Sequence, residues 1–335
     1  MTSKNMSLKN KPFLLKPVGK DYLWGGRRLN DDFSKDIPLT PLAETWECST
    51  HPDGLSTVAS GEFQGLTLAE VLHRYPEFLG THYAALGELP ILIKLIDAKQ
   101  DLSVQVHPDD AYALEHEQGQ HGKTEMWYVL DASRDAQLVY GFSHDMDKMT
   151  LAESLEQGTV EKYLQKVAVH SDDVFFIEPG TVHAIGAGAL IAEIQESSNL
   201  TYRLFDYNRI DKNGNKRKLH IDKALAVVKL GKSNKPKQPL RVLKYRRGYA
   251  AELLCSCRYF QVERVLLNTE RCREMASFQS NADSFQVLLC TNGCGTMVFG
   301  EGEMLTLFRG DCVFLPAASV EVKVHGELQM LLVRG

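Results

Sequence analysis

Long apolar runs are missing from this chain of 335 residues. No stretch reaches the roughly 18 consecutive apolar residues that a bilayer crossing needs, so the sequence offers nothing that spans a membrane. The N-terminal stretch from Met1 to Lys11 is polar and has no apolar segment of the secretory kind. Paired CxxC spacing is missing as well. Seven cysteines are scattered along the chain, and Cys255-x-Cys257 and Cys290-x₃-Cys294 do not have zinc-ribbon spacing. An odd count with no leader points to reduced thiols in the cytoplasm. A positive excess is also missing: the net charge of −5 argues against a dedicated nucleic-acid binder.

That charge is unevenly placed. Between Arg209 and Gly248, 14 Lys and Arg stand against Asp211 and Asp222, a local balance of +12 that leaves −17 for the rest of a chain totalling −5. Asn213-Gly214-Asn215 and Gly231 to Pro239 have loop composition, so this segment reads first as a solvated connector and second as a basic rim for an anionic substrate. The length suggests two domains or tandem units.

Helical patterns are few. Thr67 and Glu70 form a capping box that opens a short helix toward Leu79, limited by Pro76. Thr150 to Val167 is amphipathic through Leu151, Leu155, Val160 and Leu164, and Asp222 could cap a helix over 223–230. The rest is short β runs between Gly, Pro and Asp: 91–96, 103–107, 126–130, 138–140, 174–177 and 190–195, with everything after about Leu240 of this kind.

An internal repeat orders these runs. Residues 125–130 and 137–141 lie without gaps on 284–289 and 296–300, and 173–183 lie on 311–321. The rhythm is that of a cupin-type jelly roll, so the expected fold class is mainly β: two such units, with a helical insert in the first and a few additional helices. The expected division is 1–240, carrying the N-terminal segment, the metal site and an insert over about 145–168, and 241–335, a second unit without metal ligands. In the repeat, Ser284 replaces Glu125 and Glu321 replaces His183. The fold itself therefore does not demand those ligands.

Three clusters in the first unit carry the chemistry: Gln105-Val106-His107, Lys123-Thr124-Glu125 and Pro179-Gly180-Thr181-Val182-His183. Residues two apart in a strand share a face, which groups Ser103, Gln105 and His107 on one side and Lys123, Glu125 and Trp127 on another. Pro108 should end its strand, and Asp109-Asp110 suits a turn. Imidazole and carboxylate suit Zn, Fe, Ni or Mn, and His107, Glu125 and His183 alone would also suit a non-haem Fe(II) oxygenase. Gln105 as a fourth ligand leaves fewer open positions and tilts the site toward a Lewis-acidic zinc. Downstream, 192–207 is dense in acid, base and hydrogen-bonding groups, of which Glu193 and Arg203 are expected beside the metal.

Ser-Val-Gln-Val-His-Pro-Asp-Asp (103–110), Gly-Lys-Thr-Glu-Met-Trp-Tyr (122–128), Pro-Gly-Thr-Val-His-Ala-Ile (179–185) and Tyr-Arg-Leu-Phe-Asp-Tyr (202–207) together resemble the type I mannose-6-phosphate isomerases, most closely their short bacterial form. The likeness extends from Lys16-Pro-Val and Trp24-Gly-Gly through Ala43-Glu-Thr-Trp46 to Leu219-His-Ile-Asp222. It implies a zinc-dependent aldose–ketose isomerase that interconverts mannose 6-phosphate and fructose 6-phosphate, with one Zn²⁺ per chain. It further implies Gln105, His107, Glu125 and His183 as zinc ligands and Arg203 as the active-site arginine. Lys123 and Glu193 match pocket-lining residues, Ser103 and Lys94 match positions near the phosphate, and Trp24 matches an aromatic wall. A local departure is Ile-Glu-Pro-Gly (177–180) where Pro-Ala-Gly is more usual, which bears on the shape of that turn. Aldose–ketose exchange passes naturally through a cis-enediol, with Glu193 as the base and Lys123 and Arg203 stabilising charge. The rival readings are a cupin-type Fe(II) dioxygenase and a non-catalytic sugar-phosphate sensor. The expected partner is a small phosphosugar, with neither nucleic acid nor membrane, in the cytoplasm; the sequence sets no oligomeric state.

Overall fold

The structure is a computed structural model that describes residues 10–210, 214–271 and 274–335. Most of the polar N-terminal stretch, together with Asp211, Lys212, Asn213 and Cys272, lies outside the described residues. Among those described, the chain is mainly β. Three sheets of ten, six and five strands are built from antiparallel pairs.

The six-stranded sheet runs Val174–Ile177, Glu125–Ala132, Ala189–Glu196, Ile91–Asp97, Glu44–Cys48, Val18–Lys20. Facing it is the five-stranded sheet: Tyr202–Phe205, Val104–Val106, His183–Ile185, Gln137–Phe142, Leu164–Ala168. Trp127, Phe175, Leu138, Ile185 and Ile96 fill the space between them. Ile91–Asp97 is buried along its whole length because each face has a layer to meet. Ile91, Ile93 and Leu95 pack toward Phe285, Val287 and Phe314 of the second unit, whereas Ile96 joins the inter-sheet cluster.

The repeat appears as two equivalent antiparallel pairs, Glu125–Ala132 with Val174–Ile177, and Gln286–Phe299 with Cys312–Leu315. Their registers differ. Phe176 lies opposite Met126, so the repeat would set Phe314 opposite Phe285, but its observed partner is Val287. A two-residue slip keeps every side chain on its original face, which is why the sequence likeness survives it. The boundary expected near residue 240 does not divide the sheets either. Phe13–Lys16, from the N-terminal segment, is a strand of the ten-stranded sheet, with Phe13 opposite Phe314 and Leu14 opposite Val313.

The capping box is present, Glu70 N–H donating to Thr67 Oγ1 at 3.1 Å and opening Leu68–Arg74. Two helical expectations and one turn are corrected. The insert is helical over Lys148–Glu156, starting on an Asp147 cap rather than at Thr150. Gly158 (φ 67°) then turns the chain, and Leu164–Ala168 is a strand on Gln137–Phe142. Asp109 does not make a simple turn but caps a helix, Asp110–His116, by accepting the Tyr112 amide at 2.9 Å. Asp222 is not a cap: it sits inside the first turn of Ile221–Val227, after His220.

Candidate active site and metal centre

Two cross-strand rows, one on each facing sheet, build the site. On the six-stranded sheet, Trp46 lies opposite Lys94, Lys94 opposite Glu193, and Glu193 opposite Trp127. On the five-stranded sheet, Arg203 lies opposite Gln105, and Gln105 opposite His183. The rows converge where the Trp127 and His183 rings meet edge to face at 5.4 Å. Between them lies a polar cavity of about 280 Å³ lined by Tyr22, Trp24, Glu44, Lys94, Ser103, Gln105, Lys123, Glu193, Asn199, Thr201, Arg203 and Arg217, among others.

The innermost group is His107, Glu125 and His183, all buried, with one donor atom from each within 4.8 Å of the others. His183 follows the Pro179-Gly180 turn, in which Gly180 has φ 82° and a side chain would meet Val227 O at 2.8 Å. The Nδ1 of His183 donates to Thr181 O at 2.8 Å, which fixes the tautomer and leaves a lone pair on Nε2. That lone pair sits 3.1 Å from His107 Nε2 and 3.1 Å from Glu125 Oε1. Burial, then the Lys123 ammonium, holds the His107 imidazole well below its ordinary range. Burial opposes ionisation of Glu125, but Lys123 and both histidines outweigh it and drive the carboxyl well below its usual range. Lys123 Nζ lies 2.9 Å from Glu125 Oε2 and 3.2 Å from His107 Nε2. These are short contacts, yet neither Glu125 oxygen has an aligned hydrogen bond. Two imidazoles and a carboxylate converging in the interior form a donor set that fits a divalent cation.

Lys123 spans from this group into the cavity. Glu193 accepts the Trp127 indole N–H at 3.0 Å through Oε1 and pairs with Lys94 Nζ at 3.0 Å through Oε2. Burial would lower the Lys94 ammonium, but Glu193 and Glu44 prevail and raise it above the ordinary lysine value. Its Nζ also sits 5.1 Å from the Trp46 ring centre. Arg203 Nε donates to Ser103 Oγ at 3.2 Å. Trp24 is buried at the wall with Tyr22 tilted on it, ring centres 5.7 Å apart.

All ten expected site residues fall in this one region. His107, Glu125 and His183 form the donor group; Gln105, Lys123, Glu193, Arg203, Ser103, Lys94 and Trp24 line the cavity beside it. Sequence reasoning missed Arg217, Glu44, Tyr22 and Thr201 as lining residues. Arg217 lies in the segment read first as a solvated connector. Its signal was the opposite charge of Asp206 eleven residues upstream, which composition alone does not pick out.

Among the described residues, no helix is long and apolar enough to cross a membrane. The family model for the phosphomannose isomerase type I catalytic domain matches residues 13–137, and that for the mannose-6-phosphate isomerase cupin domain matches residues 251–334. Mannose-6-phosphate isomerase ManA of Bacillus subtilis is 36% identical over 324 residues, 96% of this chain and 98% of that protein. Mannose-6-phosphate isomerase of Streptococcus mutans is 35% identical, covering 96% of this chain and 97% of its own length. The crystal structure of a Bacillus subtilis mannose 6-phosphate isomerase superposes with a TM-score of 0.87 at 32% identity, over 96% of this chain and 99% of that one. A phosphomannose isomerase from Salmonella typhimurium, 18% identical with a TM-score of 0.73 over 96% of this chain and 99% of its own, shares the fold.

Proposed function

The chain belongs to the type I phosphomannose isomerase family, and from that premise we propose that it interconverts mannose 6-phosphate and fructose 6-phosphate through a cis-enediol, using a zinc ion held by His107, Glu125 and His183 with Gln105 as a fourth ligand. The observation that carries this reading is the position of Lys123. Its ammonium touches Glu125 at 2.9 Å and lines the same cavity as Glu193 and Arg203. When bound, the ion supplies Lewis-acid stabilisation of negative charge on a substrate oxygen.

Going from aldose to ketose, a proton leaves C2 and returns at C1, while the C2 hydroxyl gives up its proton and the C1 oxygen gains one. Glu193 holds the carbon-bound proton, directly or through a water. The Lys94 ammonium and the Trp127 N–H orient that carboxylate from either side. Lys123 and Arg203 donate toward the oxygens at C1 and C2, where the enediolate charge develops inside the polar cavity. Ser103, Lys94 and Arg203 supply donors for the phosphate, and Trp24 walls the sugar. We place the enzyme in the cytoplasm, a reading supported by its free cysteines, Cys48, Cys255, Cys257, Cys290, Cys294 and Cys312.

The direct test couples fructose 6-phosphate formation from mannose 6-phosphate to a reporter, together with solvent exchange of the substrate's C2 hydrogen. Exchange should fall by roughly a hundredfold or more in Glu193→Gln and Arg203→Ala enzymes. Unchanged exchange in both would remove these residues from the chemistry, and no turnover in the metal-replete native protein would sink the reaction itself.

A further inference from the structure

The cations around the cavity are not equally satisfied. Lys94 is paired with Glu193 at 3.0 Å and Lys123 with Glu125 at 2.9 Å. Arg203 is different. Its Nε donates to Ser103 Oγ at 3.2 Å and its Nη1 to Lys218 O at 2.9 Å, and among the described residues no carboxylate pairs with it. Beside it on the cavity wall is Arg217, which grips Asp206 with two bonds, Nε to Oδ2 at 2.8 Å and Nη2 to Oδ1 at 2.5 Å. Arg209 donates to that same Asp206 carboxylate.

Arg217 and Arg209 therefore share the Asp206 carboxylate while Arg203 has none of its own, so among the described residues positive charge is in excess at this end of the cavity. Burial first, and the neighbouring Arg217 second, hold the Arg203 guanidinium below its ordinary range, as expected where like charges crowd without a counter-ion. A phosphate dianion matches that excess in both charge and fork geometry. The opposite end, with Lys123, Glu193 and the histidines, is already charge-balanced and suits the reacting carbons.

We propose that Arg217 is a substrate-binding, specificity-determining residue. With Arg203 and Ser103 it forms the phosphate end of the cavity, and the bidentate bond to Asp206, shared with Arg209, fixes its fork. This rests on the isomerase reading; among the donors named there it selects Arg203 and Ser103 over Lys94 for the phosphate, and it reassigns Arg203 from the C1 and C2 oxygens to anchoring the phosphate, leaving the charge at those oxygens to Lys123. It also turns part of the basic 209–248 segment from a connector into a wall of the site.

Steady-state kinetics of Arg217→Gln, with mannose 6-phosphate as substrate and inorganic phosphate as competing anion, tests it. KM and the inhibition constant for phosphate should rise together by roughly ten- to hundredfold, with kcat falling far less. Arg217→Lys keeps a charge without the fork and should fall between native and Gln; it carries the test alone should the glutamine variant not fold. An unchanged KM, or a raised KM with unchanged inhibition by phosphate, overturns the assignment. Calorimetric titration with inorganic phosphate separates this from the reaction itself. Phosphate binding that Arg217→Gln abolishes, in a protein that turns over no hexose phosphate, sinks the isomerase reading and supports the anion site; phosphate binding untouched by the substitution overturns the site.

Discussion

Lys94 and Glu193 lie opposite each other on neighbouring central strands, and their charges meet at 3.0 Å with both side chains almost wholly buried. The pairing explains how two charges tolerate the middle of a sheet whose other face is apolar. Each balances the other, Trp127 satisfies the second carboxylate oxygen, and the Trp46 ring lies beside the ammonium. The row is therefore both a structural element and the back wall of the cavity.

Removing one member of that pair should be costly. Lys94→Met leaves Glu193 buried without its cation, and the expected loss is about 3–5 kcal/mol in chemical denaturation. The double variant Lys94→Met/Glu193→Gln should regain most of it, because no uncompensated charge remains. The sign of the pH effect follows from the raised Lys94 value. Its stabilisation is complete below the ordinary lysine value of 10.5 and disappears only as pH climbs through the higher folded value, so pH 6 and pH 9 should give the same difference between native and variant. A single variant as stable as the double would refute the pairing energetics.

Glu125 supplies the sole carboxylate of the donor group. Glu125→Gln removes a negative charge that Lys123 and two imidazoles surround, so metal content measured on the purified protein should fall well below one ion per chain. Isomerase activity should drop by more than the roughly ten- to hundredfold typical of losing an outer-shell partner. Stripping the native protein with a chelator and restoring Zn²⁺, Mn²⁺ or Fe²⁺ separately identifies the working ion. A Glu125→Gln protein with full metal and full activity would refute the donor set.

The donors were legible in the sequence because their signal is local. His107, Glu125 and His183 each sit in a short motif, and the second copy of the repeat, with Ser284 in place of Glu125 and Glu321 in place of His183, marks those two as dispensable to the fold. Most strands were legible through their apolar runs and turns; Val174–Ile177 falls where its pattern sets it. What escaped depends on partners far along the chain. No local pattern sets Lys94 opposite Glu193, slips the second unit by two residues, or brings Arg217 to the cavity. The strand at Leu164–Ala168 was hidden because Leu151 and Leu155, and again Val160 and Leu164, keep i,i+4 spacing on either side of Gly158, where the chain turns.

Gly180 aims His183. Its left-handed backbone and its closeness to Val227 O leave no room for a side chain, while its N–H donates to His107 O at 2.9 Å and its carbonyl accepts from Lys229 N at 2.8 Å. Gly180→Ala should therefore destabilise the fold by about 1–3 kcal/mol and weaken metal retention during dialysis against a chelator. A variant with native stability and native metal retention would mean that the turn relaxes without moving the histidine.

Glu196 braces the segment between Lys123 and Glu125 from the opposite side to the metal donors. Its Oε1 accepts the Thr124 amide at 2.6 Å, and its own amide donates to Thr124 O at 3.0 Å. Asp110, which takes the Gly122 amide at 2.9 Å and the Tyr259 hydroxyl of the second unit at 2.8 Å, adjoins it. Burial pushes the Glu196 carboxyl up from 4.5 to about 7, the ionised Asp110 adding to this while the Thr124 donors oppose it. The native state thus binds a proton between pH 4.5 and 7 that the unfolded chain releases. Stability from this group is full below 4.5 and is lost as pH rises through about 7, a difference on the order of 3 kcal/mol. Glu196→Gln keeps an oxygen for the Thr124 amide and an N–H for Asp110 but cannot ionise. Its denaturation midpoint, compared with the native protein at pH 5 and pH 8, should be similar at the lower pH and clearly higher at the upper. Parallel midpoints at both would show that Glu196 folds as a carboxylate, with Asp110 carrying no share of its proton.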